Sequence, residues 1–250
     1  MNKINFLVAA IAAATLSACA AMPQHSAEPT AESRAVVAAA DRTDADRKTD
    51  ERRKPEMMLA FTGVKPGMRV LDLGAGAGYS TELLARSVGP QGVVYAQNTQ
   101  QMIDQFIKTR FDERAAKPAM HSVVKLIREF DDPVPADVRD LDLVTQYFEY
   151  HDAPARGFDR ARMNRRVFEL LKPGSYYVIA DHSAKRGSGE SAGKTLHRID
   201  EALVRQEVEA AGFKLVASGD FLRNPEDPRE EASSRSKVRV DEFVLKFVKP

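Results

Sequence analysis

Apolar residues in this chain come in short runs alternating with longer stretches of helical spacing, and the alternation is kept from about Pro55 to the C-terminus. Pro55 suits the first turn of a helix leading into Met57, Met58, Leu59 and Phe61. Gly63 and Pro66-Gly67 break the chain before a strand over Met68–Leu73, an apolar run with one embedded acid, Asp72. A helix over Ser80–Val88 follows, then a strand over Gly92–Ala96, a helix over Gln100–Ala116, and strands over Val123–Ile127 and Leu141–Thr145. Met163, Val167, Phe168, Leu170 and Leu171 share one side of a helix over Arg160–Leu171, which Lys172-Pro173-Gly174 stops before a strand over Tyr176–Ala180. Leu196, Ile199, Leu203, Val204, Val208 and Ala211 keep helical spacing up to Gly212. Two last strands, Lys214–Ala217 and Glu242–Val248, have no helix between them and predict an antiparallel hairpin around the charged segment Phe221–Arg239. Strands alternating with helices imply an α/β fold: a doubly wound, mostly parallel, seven-stranded sheet with that C-terminal antiparallel hairpin.

The first forty residues follow a different pattern. Lys3 precedes an apolar run over Phe6–Leu16, too short to span a bilayer and suited to the core of an export signal. The sole cysteine stands in Leu16-Ser17-Ala18-Cys19, which resembles a bacterial lipobox; Ala18-Cys19-Ala20 also fits an ordinary cleavage site. The expected organisation is a signal over 1–18 with Cys19 lipidated, a flexible tether over 19–40, and a domain over 41–250. That organisation places the protein outside the cytoplasm, in the periplasm or anchored in the outer membrane, with Cys19 as its one membrane attachment. Asp41–Pro55 is densely charged and reads as a solvated helix or an ordered arm.

Composition narrows the function. The chain has 250 residues, is 43% hydrophobic and 29% charged, and carries a formal charge of +1. Removing the first eighteen residues, whose only charge is Lys3, leaves it neutral. A nucleic-acid partner is not expected without a basic footprint, and a small-molecule substrate of either sign is permitted. One cysteine permits no internal disulfide.

The sharpest motif is Asp72-Leu73-Gly74-Ala75-Gly76-Ala77-Gly78, between a strand and a helix. Glycines there let the backbone turn tightly and let a ligand approach it. Dinucleotide sites want G-x-G-x-x-G, whereas here Tyr79 takes the sixth position and the third glycine comes one residue early. The pattern is similar to motif I of class I S-adenosylmethionine-dependent methyltransferases. Leu170–Gly174 resembles the turn of that family between a helix and its fifth strand, and Gly212-Phe213 the approach to its sixth. Tyr150-His151-Asp152, Asp181–Ala184 and Leu196–Asp200 resemble a narrower group of exported methyltransferases of undefined substrate. The resemblance implies S-adenosylmethionine as cofactor, with Asp72, Gly74, Ala75, Gly76 and Gly78 shaping the pocket for its methionine end. It also implies Asp131 near the adenine amino group, and Gln97 and Asn98 where the family has an acid gripping the ribose. Replacing that acid by an amide costs about 1 kcal/mol of binding.

Ligands of open α/β sheets sit outside the carboxyl ends of the strands. His151, His182 and His197, with Tyr150, are placed to gather at that edge as candidates for proton removal from a methyl acceptor. Each also suits a structural role, the histidines in loop hydrogen bonds and Tyr147 and Tyr150 in the core. No HxH or HExxH spacing is present and the ligands would have to converge from three loops, so no metal is expected. Three other functions compete with methyl transfer: an exported protein of this fold that binds a small ligand without reaction, a nicotinamide-dependent oxidoreductase, and a purely structural lipoprotein. The glycine spacing and the missing acid after the second strand disfavour the oxidoreductase. The polar residues at the strand ends disfavour the structural protein.

Overall fold

The computed structural model describes residues 28–250 and the backbone of Gln24–His25; the expected signal and Cys19 lie outside the described residues. In chain order the elements are β1 (Gln24–His25), α1 (Ala31–Val37), α2 (Asp44–Arg53), α3 (Pro55–Thr62), β2 (Arg69–Leu73), α4 (Tyr79–Val88), β3 (Val93–Asn98), α5 (Gln100–Met102), α6 (Arg110–Ala115) and β4 (Val123–Ile127). They continue with β5 (Leu141–Tyr147), α7 (Ala153–Arg156), α8 (Arg160–Leu170), β6 (Leu171–His182), α9 (Gly193–Leu196), α10 (Glu201–Ala210), β7 (Lys214–Gly219) and β8 (Glu242–Val248).

All the expected strands are present, and they form one sheet in the order β1-β7-β8-β6-β5-β2-β3-β4. Strands β2 to β6 pair in parallel, and β8 runs antiparallel to both β6 and β7. The two-residue β1, which the sequence pattern did not suggest, adds an eighth strand parallel to β7. Central strands are covered on both faces, as their apolar runs require: Val70, Leu71 and Leu73 of β2 and Val178, Ile179 and Ala180 of β6 have no exposure. Helix α8 packs through Met163, Val167 and Leu170, the i, i+4, i+7 stripe, and its start is fixed by the Asp159 carboxylate accepting from the Arg162 N–H at 3.1 Å.

Three elements differ from expectation. The helix expected over Gln100–Ala116 widens to a π-turn at Ile103–Ile107 and is broken at Lys108, whose φ is +51°; Arg110 then folds back onto the carbonyls of Phe106 and Ile107 that the break leaves free. The helical spacing from Leu196 is interrupted, because the Asp200 carboxylate caps the Ala202 N–H and so starts α10 at Glu201. The segment read as a tether contains α1, capped by Thr30 and Ser33, with Val37 buried against α3 and α4. Helix α2 is only partly solvated: Arg42 just before it pairs with Asp50 at 2.7 Å, and Asp46 is buried against Arg114 at 2.7 Å.

The segment Phe221–Arg239 is pinned to the domain. Arg198, with no exposed surface, pairs with Asp227 at 2.8 Å and donates to the Glu231 carbonyl, while Asp227 also accepts from the Asp241 N–H. Leu222 is fully buried beneath it. Removing one member of a buried pair strands the other charge. Asp227→Ala should therefore cost about 3–5 kcal/mol in urea unfolding of the purified protein.

Candidate functional site

After β2 the chain winds toward β3 and β4, and after β5 it winds toward β6, so the sheet reverses its winding between β2 and β5. The crevice outside the carboxyl ends of two such strands is where doubly wound folds bind ligands. Here it opens as a cleft of ≈ 770 Å³, walled by the glycine loop after β2, by Tyr147, Phe148 and Glu149 ending β5, and by α2. Gly74 has φ +74°, and a Cβ there would lie 2.8 Å from the Glu149 Cγ, so the loop passes too close to the β5 end for any other residue. Asp72 beneath the loop is buried. Its carboxylate accepts from the Thr81 hydroxyl at 2.6 Å and the Thr145 hydroxyl at 2.9 Å. Burial raises its pKa and the two hydroxyls oppose that rise.

The amides of Gln97 and Asn98 perform a different function from the one expected of them. The Gln97 Oε1 accepts from the Gly74 N–H at 2.9 Å, and its Nε2 donates to the Arg128 carbonyl at 2.5 Å. The Asn98 Oδ1 accepts from the Gly76 N–H at 2.8 Å, and its Nδ2 donates to the Gly76 carbonyl at 3.0 Å. Both residues are buried, so they hold the glycine loop and do not present a free group to a ribose. A carboxylate could not serve at Asn98, because it has no donor for the Gly76 carbonyl. Asp131 lies in a smaller cavity of ≈ 170 Å³ with Thr99, Gln101, Phe130 and Phe158, beyond the ends of β3 and β4, and faces Arg162 at 3.4 Å.

Sequence reasoning passed over the cleft's principal cation. Arg53, at the end of α2, makes no ion pair or hydrogen bond among the described residues, and its Nε is buried without a partner. Its guanidinium lies over the Phe148 ring at 3.8 Å, and it lines the cleft. Burial, with the neighbouring Arg52 charge, lowers its pKa to about 10. The signal available was the Arg52-Arg53 pair before Pro55, which reads as ordinary surface charge in a charged helix. The Tyr147 hydroxyl is likewise buried without a partner on the same wall. Phe148 holds φ +62°, a conformation that costs a bulky residue about 1–3 kcal/mol and marks functional turns. Glu149, also missed, pairs with Arg156 at 3.0 Å; burial pushes its pKa up to about 7 despite that arginine.

The structure brings the three histidines together, but beside the cleft and outside its lining. His151 and His182 have ring centroids 5.5 Å apart, as do His151 and His197. His151 Nδ1 lies 2.6 Å from Asp181 and its Nε2 3.1 Å from Asp152. Burial works against the imidazolium, and the two carboxylates outweigh it, so the His151 pKa is pushed up to about 10. His182 faces Glu242 at 3.1 Å, and burial lowers its pKa. Tyr150 does not join them. Fully buried, its hydroxyl donates to Glu207 at 2.8 Å and accepts from Asn164 at 2.7 Å, tying α8 to α10.

Residues 64–212 match the family described as a methyltransferase domain. The chain belongs to this family. Two curated relatives of this methyltransferase domain are ubiquinone/menaquinone biosynthesis C-methyltransferases. That of Vibrio campbellii is 29% identical over 49% of this chain and 44% of its own length; that of Shewanella oneidensis is 23% identical over 75% and 66%. The chain thus spans about half to two thirds of the relatives it matches. A solved S-adenosylmethionine-dependent methyltransferase from Aquifex aeolicus shares the fold, with a TM-score of 0.58, 21% identity, and coverage of 84% of this chain and 100% of that one.

S-adenosylmethionine is the cofactor of such class I domains, and the methyltransferase cleft suits its amino-acid end. The orphaned Arg53 guanidinium and Tyr147 hydroxyl match a carboxylate, and a Cβ added at Gly76 would meet nothing within 4 Å, so the backbone there is open to an approaching ligand. The ribose end lacks the family's acid. Asn98→Asp should loosen the glycine loop, because it sets a carboxylate oxygen against the Gly76 carbonyl. A loss of about 1–3 kcal/mol is expected in chemical denaturation.

Proposed function

We propose that this protein transfers the methyl group of S-adenosylmethionine to a small molecule bound in the cleft between β2 and β5. The observation that carries the reading is the unpartnered Arg53 guanidinium facing the glycine loop across that cleft. Asp72, Gly74, Ala75, Gly76 and Gly78 shape the pocket, Arg53 and Tyr147 hold a carboxylate, and Asp131 stands at the purine side. When bound, the cofactor supplies an electrophilic methyl group. Proton removal from the acceptor falls to Glu149. Among the acids lining the cleft, Asp72 is held by two threonines, Asp46 by Arg114 and Glu113 by the Thr109 hydroxyl, whereas burial pushes the pKa of Glu149 up to about 7 even with Arg156 at 3.0 Å from its Oε2. His151, His182 and His197 stand behind this wall and do not reach the acceptor in this reading.

Calorimetry of the purified protein, unfolded and refolded to shed carried-over ligand, tests it. Micromolar binding of S-adenosylmethionine or S-adenosylhomocysteine is expected, weakened about tenfold or more in Arg53→Met by loss of a charge-assisted pair. Glu149→Gln should lower kcat and leave that binding within about twofold. No heat at millimolar cofactor would sink the assignment. A second reading, binding of a small ligand without reaction, is favoured by the Gln97 and Asn98 amides that take up the loop N–H groups. It predicts binding with no methylated product across an acceptor screen.

We also propose that the protein belongs to the exported group and is anchored through Cys19. This rests on the Leu16–Cys19 motif and the apolar run before it. Among the described residues, no helix is long and apolar enough to cross a membrane. Labelled palmitate fed to producing cells should be incorporated by the wild type and not by Cys19→Ser.

A further inference from the structure

The histidine cluster beside the cleft has a feature that proton transfer to an acceptor does not require. Two imidazoles from distant parts of the chain converge on a single carboxylate oxygen. The Asp152 Oδ1 lies 3.1 Å from His151 Nε2 and 3.0 Å from His197 Nδ1. One ligand atom from each of His151, Asp152 and His197 lies within 4.8 Å of the other two. Ligands bound at about 2.0–2.1 Å to one ion, at tetrahedral or octahedral angles, stand roughly 2.9–3.4 Å apart, and both measured edges fall in that interval.

Each member is also oriented from behind. Asp181, fully buried, sits 2.6 Å from His151 Nδ1 and accepts the His151 backbone N–H at 2.8 Å and the His182 N–H at 2.7 Å. A carboxylate on one ring nitrogen fixes the proton there and turns the lone pair of the other nitrogen outward, the arrangement typical of metal-bound histidines. Arg156 donates to the Asp152 Oδ2 at 2.8 Å, which leaves Oδ1 for the two rings. His197 holds φ +50° at the end of α9, a left-handed conformation that a non-glycine residue rarely adopts, and it brings the ring to Asp152.

We propose that His151 Nε2, Asp152 Oδ1 and His197 Nδ1 bind a divalent transition-metal ion of the zinc or iron(II) class, with Asp181 as the residue that positions His151. Two imidazoles and one carboxylate are the donor set of three-ligand zinc sites and of non-haem iron(II) sites. Magnesium and calcium, which take oxygen ligands, fit it poorly. The His197 side chain is 47% exposed, so one side of the ion meets solvent and takes water as its remaining ligand. The site lies beside the methyl-transfer cleft, with Arg156 between Asp152 and Glu149, and neither reading depends on the other.

The test uses cobalt(II) as the spectroscopic probe, on the full chain carrying Cys19→Ser so that the thiol cannot compete. The chelator-stripped protein should bind one cobalt ion per chain, with the intense ligand-field bands of four- or five-coordination, and zinc should displace it. His197→Ala should lose those bands. The half-exposed ring leaves the fold intact on removal, and an unchanged circular dichroism spectrum checks this. Asp181→Asn should weaken binding about 10–100-fold. His121→Ala, at an exposed histidine, should bind as the wild type does. Folded wild-type protein that binds no stoichiometric cobalt, or a His197→Ala variant that retains the bands, would overturn the proposal.

Discussion

A carboxylate withdrawn from water must find hydrogen bonds or lose its charge, and Asp72 sits under that constraint at the centre of the sheet. Its two oxygens are answered by hydroxyls from separate elements, Thr81 on α4 and Thr145 on β5. The acid therefore ties the helix after the glycine loop to the strand on the far side of the crevice. With β2 pinned in this way, the loop leaves the sheet at one fixed point and the β5 end faces it at another. The missing Cβ at Gly74 is the same constraint seen from above, since a Cβ there would overlap the Glu149 side chain.

From that fixed departure the loop is held by two side-chain amides. Gln97 and Asn98 end β3, the neighbour of β2, and reach back to Gly74 and Gly76. Neutral amides suit this work because each offers a donor and an acceptor, and Asn98 uses both on one residue. The result is a loop rigid without ligand, so little ordering entropy opposes binding. The same choice leaves no anion near a ribose, and affinity must come from the other end of the cleft, where Arg53 makes no ion pair or hydrogen bond among the described residues.

The layering of strands and helices was legible because the central strands are buried on both faces and packed helices show their stripe, as in Met163, Val167 and Leu170. Asp200 reads equally as a helix cap or a turn residue, and helical spacing alone carries the helix upstream of it, to Leu196. The glycine loop was legible as a motif, since its spacing is a backbone requirement. Arg53 was hidden because charge alone does not reveal burial, and α2 reads as surface until it is folded over the cleft. Tyr150 misled for the opposite reason: a polar residue at a strand end can turn inward when Glu207 and Asn164 meet its hydroxyl. The sequence motifs grouped His151, His182 and His197 correctly with one another. Which wall they stand behind depends on a single backbone turn.

That turn is at Phe148. Along an extended strand, successive side chains alternate between faces, and an undistorted continuation of β5 would not place three consecutive residues on one wall. Tyr147, Phe148 and Glu149 nevertheless all line the cleft, and the positive φ of Phe148 interrupts the alternation between them. The Phe148 N–H donates to the Ala180 carbonyl at 2.8 Å, which ties the turn to β6. Its ring then has Arg53 on it at 3.8 Å and the His182 ring at 4.9 Å. This aromatic side chain thus stands between Arg53 of the cleft and His182 of the histidine cluster. The energy stored in its backbone is offset by packing on both sides, and the two groups of chemistry-bearing residues meet through ion pairs, Arg156 with Glu149 and Asp152, and Glu242 with Arg52 and His182.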